Sequence, residues 1–206
     1  GIKTDVNAQM VHIPDSAFRA YLNQNFGSCM VGDSIDPSCP AVLATKNINV
    51  SNRGISNLSG IEVFVNDTLL NCSNNQLTSL PNLPLSLTYL YCYENQLTSM
   101  PNLPQSLTYF NCNANVLTSL PILPTALTTL ICGNNQISYL DLDGLTNLSS
   151  LSCGFNRIYN LEINKLYNLT SLACGFNLIS KIDIKGLQNL KYFNCIYNQI
   201  NDLDLQ

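Results

Sequence analysis

Thiols are the first side chains in this sequence that could do chemistry, and they come in two patterns. Cys72, Cys92, Cys112 and Cys132 follow one another every twenty residues, and Cys132, Cys153, Cys174 and Cys195 every twenty-one. Cys29 and Cys39 stand outside that progression. A thiolate can be a nucleophile or a metal ligand, but it needs a base or cation beside it, or a closed ligand set. His12 is the only histidine, and a lone histidine is usually a packed or surface residue. No Cys/His, Ser/His/Asp or paired-carboxylate set recurs with the periodic thiols. The seven are therefore expected as a column of small, reduced core residues, because Cys packs like a small hydrophobe. Strands ~4.8 Å apart would bring them near enough to bridge, but parallel Cβ vectors are poor disulfide geometry. No enzyme activity is expected.

Asp33, Ser34 and Asp36 suggest a cation loop, yet no D-x-[DN]-x-[DN]-G run with a closing glutamate accompanies them. Neither a metal nor a cofactor is expected. The net charge of −4 argues against nucleic acid, whose binding rests on Lys and Arg contacts to phosphate. No apolar run approaches the length that crosses a bilayer, and no secretory leader is visible. Charged residues make up only 11% of the chain, well below the usual ~25%. Asn, Ser and Thr carry the polar share instead.

The elements that position the thiols can be read from what surrounds them. Leu87, Leu90, Cys92, Asn95 and Leu97 form the frame L-x-x-L-x-C-x-x-N-x-L, numbered one to eleven below. It returns around Cys112, Cys132, Cys153, Cys174 and Cys195, and a weaker copy around Cys72 has Asp67 in the first position. A degenerate copy runs from Ile48 to Ile55, with Val50 for the cysteine and Arg53 for the asparagine. This is the leucine-rich-repeat signature, and it predicts a solenoid whose repeats each cover the next. Positions four and six point inward from a short strand, so the strands stack as a parallel sheet on the concave face. The asparagine turns the chain and bonds the backbone groups that the turn leaves unpaired.

The return paths come in two kinds. Residues 77–86, 97–106 and 117–126 are of the L-P-x-L-P type, and their prolines favour an extended convex side without helix. The later ones lack proline, and the alternation Leu140/Leu142, Leu161/Ile163 and Ile182/Ile184 predicts a short second strand there. Residues 1–45 do not fit the frame and are read as an N-terminal cap, with 46–206 one continuous array of about eight repeats. In the cap, Met10 to Ile13 alternates like a strand, and Pro14-Asp15-Ser16 supplies helix-start chemistry. Ala17, Phe18, Tyr21 and Leu22 recur at helical spacing, Phe26-Gly27 ends the helix, and Ala41 to Ala44 gives a second short helix. A Cys29–Cys39 disulfide would staple the intervening loop and imply an oxidising, extracytoplasmic location. The sequence from Leu203 to Gln206 carries no recognisable C-terminal cap, an open end that a partner, a second copy or further sequence could cover.

Residues 48–206 resemble bacterial leucine-rich-repeat proteins. The 77–137 part is similar to the short repeats of secreted effectors, and 137–206 to the internalin-like, cysteine-containing repeats of surface proteins. The cap sequence VHIPDSAFRAYL, residues 11–22, is similar to the helical caps of secreted or surface proteins of Gram-negative gut anaerobes. In such relatives the cap loop can carry a calcium-type run, and here the Cys29–Cys39 loop takes its place. The resemblance implies a binding scaffold, usually for proteins, in a secreted or cell-surface setting.

The residues the frame leaves free are the functional candidates. Positions three, five, seven and eight would face the concave side. They give Tyr89, Tyr91, Tyr93 and Glu94 in one repeat and Tyr109 and Asn111 in the next. Phe155, Phe176 and Tyr197 would form a late aromatic column, with Tyr192 close by and Gly133, Gly154 and Gly175 as a shallow trough. Stacking for stiffness alone would account for the column, whereas three tyrosines on one strand have no packing need to be there. Exposed aromatics beside Asn and Ser are what protein interfaces use as anchors. A protein or peptide is the expected ligand. A glycan is the alternative, since tyrosine stacks on sugar faces, and an assembly role through the open end is a second. Eight strands at ~4.8 Å and a width of ~15 Å give a face of roughly 570 Å². A standard interface takes about 800 Å² per partner, so a protein would also touch a rim or the cap.

Overall fold

The computed structural model of the chain describes residues 9–204. The first residues, the last two, and with them the expectations about a leader and a C-terminal cap lie outside the described residues. The N-terminal part runs β1 (Val11–His12), α1 (Ser16–Phe26), β2 (Met30–Val31), β3 (Ser34–Ile35) and α2 (Pro40–Ala44). β3 lies between β1 and β2 in a small antiparallel sheet. Asp15 starts α1: one carboxylate oxygen accepts from the Ala17 and Phe18 amides, both at 2.9 Å. Its other oxygen accepts from Ser56 N and Oγ and Asn57 N at 2.8, 2.9 and 3.1 Å. A single side chain thus caps the helix and ties it to the first repeat. The apolar face of α1, with Phe18, Tyr21, Leu22 and Phe26, is buried, and the Phe26 ring meets Phe64 at 5.1 Å. Cys29 and Cys39 are bonded as a disulfide with a Cα separation of 5.6 Å. Asp33 pairs with Arg19 at 3.2 Å, and Asp36 accepts from Ser38 N and Oγ. Asp33 is thus engaged by α1 and Asp36 within the loop, and no metal-ligating cluster occurs among the described residues.

The array follows as β4 (Asn47–Asn49), β5 (Leu69–Asn71), β6 (Tyr89–Tyr91), β7 (Tyr109–Asn111), β8 (Thr129–Ile131) and β9 (Ser150–Ser152). It continues with β10 (Ser171–Ala173), β11 (Lys181–Asp183), β12 (Tyr192–Asn194) and β13 (Asp202–Asp204). Eight of these form one parallel sheet in the order β4-β5-β6-β7-β8-β9-β10-β12. The register never slips: Leu70, Leu90, Phe110, Leu130, Leu151, Leu172 and Phe193 pair in line. A slip of one residue would turn every inward side chain outward. The chain is a leucine-rich-repeat solenoid with a small helical cap, and one apolar core runs from Ile13 to Leu187.

Strands of three residues cannot hold such an array by themselves. The frame asparagine does much of that work. In Asn115 the Oδ1 accepts from Leu97 N at 2.9 Å, and the Nδ2 faces the carbonyls of Cys92 and Cys112 at 3.1 Å and Asn113 at 3.3 Å. Asn95, Asn135, Asn156 and Asn177 repeat this pattern. A second ladder stands just before the strands, at position two. The hydroxyls of Thr68, Thr88, Thr108, Thr128, Ser149 and Thr170 each donate to the carbonyl of the preceding repeat at 2.9–3.1 Å. Two residues earlier, just ahead of the first leucine, Ser86, Ser106, Asn147, Asn168 and Asn189 do the same.

The proline-type returns are irregular and carry no helix. The second convex strand is confined to β11, which pairs in parallel with β13. Leu140/Leu142 and Leu161/Ile163 bury alternate side chains as expected, but their backbones form no ladder. The asparagine side chains of 147 and 168 bond to the preceding repeat there, as Asn189 does in the repeat that holds β11.

The ladder thiols are buried and unbridged, and only Cys195 is partly exposed. Burial pushes the Cys72 thiol up to about 12, and Cys92, Cys132 and Cys153 are raised well above the ordinary thiol range for the same reason. Alkylation of the native protein at pH 8, read by mass spectrometry, should therefore modify Cys195 and spare Cys72 to Cys174. Asn115→Ala should cost about 3 kcal/mol in urea unfolding, because it strands the buried Leu97 amide.

The concave face as a candidate binding surface

Each strand buries its central residue and turns the flanking two outward, so positions three and five line the concave face. Two aromatic groups stand on it, separated by β8. The first is on β6 and β7: the Tyr109 ring lies 6.1 Å from Tyr89 and 4.9 Å from Tyr91, tilted against both. Burial raises the Tyr109 hydroxyl above its ordinary value, nearby Tyr91 and Tyr93 add to this, and Asn111 opposes it. Tyr93 and Asn111 thus belong to the same cluster, while Glu94 is exposed in the turn beyond the strand. The second group is a stack, with Phe155 and Phe176 at 4.1 Å and Phe176 and Tyr197 at 4.4 Å. Tyr192 lies on β12, its hydroxyl 3.5 Å from Asn194 Nδ2. The ten residues singled out from sequence therefore fall into two clusters and a neighbour, and form no single pocket.

The stack sits on an uneconomical backbone. Position eight is left-handed in every repeat, with φ from 51° to 57° at Asn52, Asn74, Glu94, Ala114, Asn134, Phe155, Phe176 and Tyr197. That region suits Gly or Asn and costs other residues about 1 kcal/mol or more. Yet the chain puts Phe at 155 and 176, and keeps glycine for 154 and 175, where φ is ordinary. A Cβ on Gly154 would lie 3.0 Å from the Gly175 carbonyl oxygen, but Tyr93 and Asn113 carry side chains at the same frame position. Missing side chains at Gly133, Gly154 and Gly175 open a hollow of about 210 Å³ beside Phe155 and Phe176, with Asn113, Asn134 and Asn194 around it.

The face is also nearly free of charge. Among the described residues, Glu94 is the single Asp, Glu, Lys, Arg or His at positions three, five, seven and eight of the eight strands. Tyr, Asn, Ser and Gly fill most of the rest. Two features were missed in the sequence. The hydroxyl ladder had a signal, the Thr or Ser one residue after the first leucine. The left-handed turn had a partial one, Asn at 52, 74 and 134, which Glu, Ala, Phe and Tyr at position eight of the other repeats conceal.

No protein-family model and no curated protein matches the chain. Solved structures do. The chain is similar to the functional domain of InlJ from Listeria monocytogenes, described as including a cysteine ladder, at 29% identity and a TM-score of 0.72. That likeness covers 97% of this chain and 50% of that one, so the chain spans half of the InlJ domain. Internalin C2 from the same organism is 27% identical with a TM-score of 0.70, over 97% of this chain and 92% of its own. A Shigella effector LRR domain is likewise 27% identical with a TM-score of 0.70, over 94% and 80%. The neighbours are bacterial leucine-rich-repeat proteins.

Magnitudes can separate the fold from the face. Removing Phe155 loses one stacked pair, worth about 0.5–1.5 kcal/mol, and relieves a left-handed residue costing about as much. Phe155→Asn should leave the unfolding free energy within about 1 kcal/mol of wild type in urea titration.

Proposed function

We propose that this protein is a non-catalytic binding module that takes a protein or peptide partner on its concave face. The observation that carries the reading is the face itself: exposed tyrosine and phenylalanine rings set among Asn, Ser and Gly, with almost no charge. Rigid aromatics with adaptable small polar neighbours are the composition of binding loops that recognise proteins. Phe at left-handed positions and Gly at ordinary ones make poor sense for stability and good sense for a contact surface. Early tyrosines and late stack would act as two anchor points, with a rim or the cap supplying the remaining area.

The stack also weighs against the glycan reading. Phe176 has a ring on each side at 4.1 and 4.4 Å, so both its faces are covered and only its edge is open. Sugar stacking needs an open face, and within this column only the outer sides of Phe155 and Tyr197 would supply one. An extracytoplasmic setting, secreted or at the cell surface, fits the Cys29–Cys39 disulfide. The seven other thiols are no obstacle to it, since six of them lie in the core. No helix among the described residues is long and apolar enough to cross a membrane.

The test is capture of a partner with immobilised protein, followed by titration of that partner against wild type and the Tyr91→Ala/Tyr93→Ala pair. The double variant should lose several kcal/mol of affinity, at about 2 kcal/mol per anchor. Because the face carries so little charge, wild-type affinity should change by less than about tenfold between low and high salt. Unchanged affinity in the double variant, or hits confined to a glycan array, would reject the reading.

A further inference from the structure

Asp67 holds the first frame position of its repeat, where every later repeat has leucine. It is fully buried, and neither carboxylate oxygen has a hydrogen-bond partner. Its main chain is fixed on both sides: the amide donates to the Phe64 carbonyl at 2.9 Å, and the carbonyl accepts from Ser86 Oγ at 2.6 Å. The side chain is closed off from water where it stands.

The groups facing it come from both sides of the junction between cap and array. From α1 comes Tyr21, itself nearly buried, with the Arg53 guanidinium 4.8 Å above its ring. Burial raises the Tyr21 hydroxyl, the Asn49 amide and Arg53 oppose this, and Asp67 adds to it. From the array come Lys46, just ahead of β4, and the backbone amides of Leu69, Thr68 and Ile48. Those amides lie near the carboxyl without reaching hydrogen-bonding geometry. Lys46 makes no ion pair with it, and the salt bridges among the described residues lie elsewhere.

We propose that Asp67 is a proton-operated latch between cap and array: the folded protein carries it as the neutral acid, and its ionisation loosens α1 from the first repeats. A buried carboxyl without a partner takes up a proton rather than stay charged. Here burial pushes the Asp67 carboxyl up to about 7, against the pull of the nearby amides and Lys46. The unfolded chain gives up that proton near 3.8. Stability from this group is thus complete below about pH 4 and is lost as the pH rises through about 7. Asp15, at the other contact of the same helix, has the opposite demand. Its burial raises its carboxyl, but bonds from Phe18, Ser56 and Asn57 outweigh that and hold it below its ordinary value. Its contribution is present above about pH 4 and fades as the pH falls through its folded value. The cap is therefore held best in mild acid, where Asp15 is charged and Asp67 is not.

The test compares wild type with Asp67→Leu, which restores the frame residue, and Asp67→Asn, which keeps the shape without the charge. Calorimetry at pH 5.5 in buffers of different ionisation enthalpy counts the protons released on unfolding. Wild type should release about one more than either variant. Amide exchange over residues 16–26, corrected for its intrinsic pH dependence, should speed up about tenfold or more from pH 5.5 to 8 in wild type and in neither variant. Equal proton release in wild type and Asp67→Leu, or the same pH response of the α1 amides in all three proteins, overturns the proposal.

Discussion

A primary amide, repeated once per turn, is the interaction on which the array depends. Each frame asparagine stands where the chain leaves its strand and would otherwise strand several buried backbone groups. Its Oδ1 takes an amide from the preceding repeat, and its Nδ2 reaches carbonyls of both repeats. One side chain thus closes its own turn and fixes the distance to its neighbour. Aspartate could accept but not donate, and glutamine would reach too far, so the position tolerates little else. Where the amide is missing, at Arg53, the asparagine of the next repeat still supplies two bonds to that turn, and the arginine is released to lie on the cap.

That division of labour leaves most concave side chains without structural duty, the exceptions being Asn49, Asn71, Asn111 and Asn194 at position five, whose Oδ1 accepts the amide two residues on. The frame leucines fill the core, the cysteines sit tightly behind the strands, and hydroxyls and asparagines link repeat to repeat at the entry. What remains at positions three, five, seven and eight can vary at small cost to the fold. The chain uses that latitude unevenly, with tyrosine over β6 and β7, small residues over β9 and β10, and stacked rings along their exit turns. A solenoid separates stability from recognition along the sequence itself, position by position, more cleanly than a globular core does.

Much of this is legible in the sequence, and the reasons are physical. A period of twenty or twenty-one with leucine, cysteine and asparagine at fixed offsets admits few other folds, so sheet, core and thiol column followed directly. The cap helix announced itself through Asp15, although its second tie to Ser56 and Asn57 is a contact at a separation no local pattern encodes. Fewer convex strands form than alternation predicts, because alternation of Leu140 and Leu142 reports which side chains are buried and not whether the backbones pair. The left-handed turn stayed hidden because its usual marker, glycine, occurs one residue earlier. Asp67 was visible as a break in the frame, but only burial without a partner gives that break a meaning.

The thiol column has a consequence for how the chain must mature. An extended chain carrying nine cysteines offers an oxidant many wrong pairs and one right one. Once the repeats have stacked, the six core thiols are out of reach, and only the loop cysteines remain a matched pair at bonding distance. Selectivity of oxidation is then a matter of timing rather than of recognition. In an oxidising setting, collapse of the array would have to outrun the oxidant, and a repeat that stacks late would leave its own thiol open to scrambling.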